Sequence, residues 1–89
     1  MPQRIATIGS SVGLHARPAA LFVQAATATG LPVTIAKEGG NPVDARSLLT
    51  VMSLGAVNGD KVVLTAEGEN AQAKLDELAT LLETDLDAA

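Results

Sequence analysis

The chain has 89 residues, 47% of them hydrophobic and 18% charged, with a formal net charge of −4, which fits one globular domain over residues 1–89 and excludes a disordered polyelectrolyte. It has no cysteine and one histidine, so disulfide frameworks, thiolate metal sites and histidine-rich metal sites are excluded, and no metal or cofactor is expected. The scattered lysines and arginines argue against a nucleic-acid backbone as partner, and MPQRIATIG lacks the basic-then-apolar pattern of a secretory signal.

Residues 3–8, QRIATI, read as a short strand ended by the loop GSSVG. Pro18 to Ala28 reads as a helix: Ala19, Phe22, Val23 and Ala26 fall at i, i+3, i+4 and i+7, and Gly30 supplies the stop. LPVTIAK (31–37) alternates Val33 and Ile35 against Thr34 and Ala36, as a half-buried strand does. Glu38 to Asn41 forms a turn, and a weak strand covers Val43 to Ala45.

Ser47 is an N-cap candidate for the short helix LLTVMSL, which Gly55 closes. After a turn at Asn58-Gly59, DKVVLTAEG (60–68) places Val62, Leu64 and Ala66 on one strand face. Asn70 is the cap candidate for a last helix whose Ala71, Leu75, Leu78 and Leu82 share a stripe. Its carboxylates (Asp76, Glu77, Glu83, Asp85, Asp87) read as a solvated face. The order β-α-β-β-α-β-α with short links predicts an α+β sandwich, one antiparallel sheet with helices on one face. No apolar run reaches the ~20 residues of a membrane helix, so a cytoplasmic protein without membrane insertion is expected.

The stretch SVGLHARPAALF (11–22) concentrates the chemistry, for it contains the only histidine and the only aromatic residue. A lone histidine is commonly a surface or packing residue, but Pro18 marks a helix entry, since the N–H it lacks has no intrahelical partner there. His15, Ala16 and Arg17 therefore sit at a helix N-terminus, where free backbone N–H groups favour an anion. Arg17 adds a fork of donors matched to phosphate oxygens, and a neutral imidazole is a competent nucleophile. Gly13 permits a close approach or an unusual turn just before the site. Serine-type hydrolysis fits poorly, because no second histidine can act as base. The residues alone point to a reversible phosphoryl acceptor.

GLHARPA (13–19) together with RSLLTVMSLG (46–55) resembles the HPr family, the histidine-containing phosphocarriers of the bacterial phosphoenolpyruvate-dependent sugar phosphotransferase system, and the likeness runs through nearly the whole chain. The resemblance implies an open-faced β-sandwich, a four-stranded antiparallel sheet covered on one side by three helices. It implies that His15 takes a phosphoryl group on Nδ1 from phosphorylated enzyme I and passes it to a histidine of a sugar-specific enzyme IIA domain. The chain is then a covalent carrier rather than an enzyme, and needs no cofactor.

Arg17 is implied as the contact to the phosphoryl oxygens, with the backbone of Ala16 and Arg17 beside it. Ser47 maps onto the family's regulatory serine, and Leu48, Leu49 and Met52 onto the apolar partner surface, with a serine kinase/phosphorylase and a transcriptional regulator as further partners and a monomer as the expected state. Arg46 before that serine, and Thr50 where many regulated members have glycine, depart from the pattern. Other readings of the same residues are Ser47 as a helix cap and Leu48, Leu49 and Met52 as core. Alternatives for the whole chain are a regulatory paralogue in a nitrogen-related phosphorelay or dihydroxyacetone kinase system, and a small domain that binds a free anion.

Overall fold

The computed structural model describes residues 2–84. Seven elements follow in the order β1 (Gln3–Thr7), α1 (Ala16–Ala28), β2 (Val33–Lys37), β3 (Val43–Asp44), α2 (Leu48–Ser53), β4 (Lys61–Ala66) and α3 (Ala71–Glu83). The strands make one antiparallel sheet in the order β1-β4-β2-β3. This is the expected α+β open-faced sandwich of four strands and three helices.

The register explains the two faces. Arg4 pairs with Leu64 and Ala6 with Val62, while Ile35 lies opposite Leu64 and Val33 opposite Ala66. A period of two puts these residues on one side, and the apolar ones are all buried. Helices cover that side: Phe22 and Ala26 of α1, Val51 of α2, and Leu75, Leu78 and Leu82 of α3 complete one core. The other side carries Gln3, Ile5, Thr7, Lys61, Val63 and Thr65, with Ile5 exposed. Ala36 belongs to this open side yet is buried, against the simple alternation. It shares a shallow concavity of about 210 Å³ with Gly39, Gly40 and Pro42 of the following turn, and a side chain this small is easily covered by its neighbours.

Several boundaries differ from the sequence reading for local reasons. The first helix begins at Ala16, two residues before Pro18, because proline is tolerated throughout a first turn and not only at its first position. Ile8 and Ala45 lie just outside β1 and β3 but extend their pairing, Ile8 donating to Asp60 O at 2.9 Å and Ala45 to Val33 O at 2.9 Å.

Neither expected cap works through its side chain. Asn70 has φ +61, a left-handed backbone rather than the extended one a capping side chain needs, and Ala71 N–H bonds Gly68 O instead. Ser47 occupies the N-cap position of α2 without a side-chain cap bond. The Thr50 hydroxyl closes that turn, donating to Asp44 O at 2.8 Å and Ser47 O at 3.1 Å, while the Asp44 carboxylate accepts the Arg46 N–H at 2.9 Å.

Asp76 is more than a solvated residue of α3. The Arg4 guanidinium on β1 donates to it at 2.8 Å and the Gln72 amide at 3.1 Å, with Glu83 4.0 Å from Arg4. Gln72 first and Arg4 second hold its carboxyl below the usual value. Asp85 and Asp87 lie outside the described residues. Among the described residues no helix is long and apolar enough to cross a membrane.

Candidate functional site

The sequence before α1 alternates buried and exposed positions in a way that fixes the imidazole outside. Leu14 is buried and its N–H bonds Ala56 O at 3.0 Å, so the chain is anchored immediately before His15. His15, Ala16 and Arg17 are exposed, and Pro18 and Ala19 turn back into the core. His15 is the N-cap of α1, with extended backbone (φ −84, ψ −171), and its carbonyl accepts the Ala19 N–H at 2.8 Å. Pro18 has no N–H to offer, and the amides of Ala16 and Arg17 precede the first intrahelical bond. Those two groups have no acceptor within the helix.

Gly13 makes the approach possible. Its φ is +75, and a Cβ there would lie 2.6 Å from Ala56 O and 2.9 Å from Val57 Cα. The backbone contact and the left-handed conformation both require glycine. The 8–14 loop is therefore moulded against the segment following α2.

The first turn of α1 contains no acidic residue and no capping side chain. Ion pairs among the described residues engage Arg4, Lys37 and Arg46 and leave Arg17 out. An exposed nucleophilic ring beside two open amides and an unpaired guanidinium can receive a phosphoryl group and hold its oxygens at the surface. No group of three His, Asp or Glu residues among the described ones could hold a metal ion. The concavity on the open sheet face contains neither His15 nor Arg17.

Ser47 is half-buried at the start of α2. This helix packs against α1 and β3. Val51 is its buried contact, while Leu48, Leu49 and Met52 are 41%, 79% and 38% exposed. The reading of these three as core is thus not what the fold adopts. Besides Ile5 and Leu21, the exposed apolar residues that escaped the sequence reading include Val12, in the loop before His15, and Val57, whose Cα abuts Gly13. Strand-like or loop-like valines carry no sequence signal that separates surface from core.

An open-faced sandwich that presents an imidazole, two free amides and a guanidinium at one helix end, with exposed apolar residues on the short helix packed against that helix, has the form of a phosphoryl carrier. The comparisons with known proteins agree. Residues 2–84 match the family model described as the PTS HPr component phosphorylation site. The chain is 54% identical over 82 residues to the phosphocarrier protein HPr of Streptomyces coelicolor, covering 92% of this chain and 88% of that one. The crystal structure of HPr from Thermoanaerobacter tengcongensis superposes with a TM-score of 0.88 at 36% identity, covering 100% of this chain and 99% of the other. The Bacillus subtilis protein Crh, whose crystal structure is a swapped-domain dimer, is similar with a TM-score of 0.71 at 40% identity, covering 97% and 98%. The chain belongs to the HPr family of phosphocarriers of the phosphotransferase system.

Proposed function

We propose that His15 accepts a phosphoryl group on Nδ1 from phosphorylated enzyme I and passes it to a histidine of a sugar-specific enzyme IIA domain. The observation that supports this most directly is the exposed imidazole at the N-terminus of α1, beside an unpaired Arg17. In each transfer the lone pair of the accepting imidazole nitrogen, Nδ1 when His15 is the acceptor, attacks phosphorus and the P–N bond to the donor imidazole breaks; the acceptor ring gives up the proton on its other nitrogen and the donor ring takes one up, so that both end neutral. The carrier's contribution is positioning and charge stabilisation by the amides of Ala16 and Arg17 and the guanidinium of Arg17.

Leu48, Leu49 and Met52 form the docking surface in this reading, since a carrier must present one apolar area to two unlike partners and a methionine adapts to both. Ser47 is the proposed regulatory phosphorylation site for a serine kinase/phosphorylase, with a transcriptional regulator as a further partner. Its hydroxyl is not committed to capping α2. The chain works in the cytoplasm as a monomeric single domain, residues 1–89.

Incubation with enzyme I and phosphoenolpyruvate tests the central step. The protein is expected to gain one phosphoryl mass that is lost in acid, survives in base and disappears when an enzyme IIA domain is added. His15→Ala should gain none while keeping the parental melting temperature. An acid-labile phosphoryl group on the alanine variant would refute the assignment.

A further inference from the structure

We infer that Asn58 is a positioning residue for the phosphoryl-accepting loop, an inference that rests on the proposed role of His15. Its side-chain amide donates toward three consecutive carbonyls of that loop, Ile8 O at 3.5 Å, Gly9 O at 3.3 Å and Ser10 O at 3.3 Å. Two hydrogens shared among three acceptors make each contact long, but together they span the point where the chain leaves β1. Backbone bonds continue the lacing on both sides: Gly59 N–H to Ile8 O at 2.9 Å, Ile8 N–H to Asp60 O at 2.9 Å, and Leu14 N–H to Ala56 O at 3.0 Å. The loop from Ile8 to Leu14 is thus tied to the 56–60 segment at both of its ends.

That segment is itself braced. Asp60 accepts the Val57 N–H through its carboxylate at 3.0 Å, donates its own N–H to Val57 O at 2.9 Å, and pairs with Lys37 at 3.4 Å. Gly59 turns with φ +89. The Asn58 amide is therefore a side-chain link between this hydrogen-bonded turn and a loop that reaches His15 five residues after Ser10.

The position has little to offer packing, because Asn58 is an exposed residue. Its contribution is to hold carbonyls in place, and through Gly13 and Leu14 to fix where the imidazole begins. Transfer between two rings needs near-ideal alignment, so a small displacement costs rate more than affinity.

The single histidine makes the test clean, since its ring gives one set of resonances. Asn58→Ala and the equal-sized Asn58→Asp, which loses the donor, are compared with Lys74→Ala, which removes a side-chain bond to a backbone carbonyl at the opposite end of α1. Both Asn58 variants should shift the His15 ring resonances in the free protein. They should lower kcat for phosphoryl acceptance from enzyme I by roughly tenfold with KM within about twofold of the parent. Lys74→Ala should leave both readouts unchanged. Should Asn58→Ala fail to fold, Asn58→Asp carries the test. Parental ring resonances and kcat in the Asn58 variants overturn the inference, and so does an equal ring shift in Lys74→Ala, which would mark general loosening. A parent protein that takes no phosphoryl group overturns the proposed function instead, and the ring shift still decides the role of Asn58.

Discussion

The two ends of α1 are finished in opposite ways. At the C-terminal end the Thr29 hydroxyl donates to Ala26 O at 2.7 Å and accepts the Leu31 N–H at 3.1 Å, while Lys74 of α3 donates to Thr29 O at 2.7 Å. Gly30 then leaves the helix at φ +72. At the N-terminal end the amides of Ala16 and Arg17 have no acceptor within the helix and no side chain caps them. Missing side-chain caps are common to all three helices, so the open end alone distinguishes nothing. What sets α1 apart is that an exposed imidazole and an unpaired guanidinium stand on either side of the free amides. In the proposed function these are the groups that meet the phosphoryl oxygens.

The largest expected effect breaks the open end from beneath. Gly13→Val places a branched side chain in a left-handed conformation against Ala56 O and Val57 Cα. It should cost about 3 kcal/mol of stability by denaturant unfolding, and the displaced loop should carry most of the transfer rate away with it. Arg17→Lys leaves the fold untouched and replaces a planar fork by a point charge. Phosphoryl transfer at His15 should slow on the order of tenfold in stopped-flow or quench measurements, with an unchanged melt.

Lys74→Ala opens the closed end and sharpens the contrast. It should lower stability by about 1 kcal/mol, since a cation hydrogen-bonded to a helix C-terminus is lost. Transfer through His15 should not change.

The smallest effect is that of acid on structural carboxylates outside the first turn of α1. Asp76 is held low chiefly by Gln72 and then Arg4, Asp60 by the Val57 N–H, and Asp44 by the Arg46 N–H. A carboxyl whose folded pKa is depressed contributes stability above its ordinary value of 3.8 and loses it as the pH falls through the folded value. Melting temperature should therefore stay flat down to about pH 4 and fall below it. Asp76→Asn should blunt that fall slightly, because the partners are surface groups.

The element order was legible because each segment's period and punctuation agreed, as with Phe22 and Ala26 on α1 or Val62 and Leu64 on β4. His15, Arg17 and Pro18 were legible as a helix entry because proline limits where a helix can begin. What sequence could not convey is how separate segments meet. Ala56 against Gly13, Asn58 against three carbonyls and Arg4 against Asp76 join residues 43 to 72 positions apart, with no local pattern to announce them. Ser47 and Asn70 occupy the N-cap positions that the sequence indicates, but neither makes a side-chain cap bond, for a related reason. A cap depends on the backbone leading into it, and the Thr50 hydroxyl and a left-handed Asn70 resolved those turns differently.

The most direct measurement is the map of backbone amide shifts between the free protein and the protein phosphorylated by enzyme I. The largest changes are expected at Ala16 and Arg17, with the His15 ring reporting phosphorus on Nδ1 and the amides of Thr29 and Gly30 unmoved. A phosphoryl group elsewhere, or one on His15 that leaves the Ala16 and Arg17 amides at their free positions, would contradict the account.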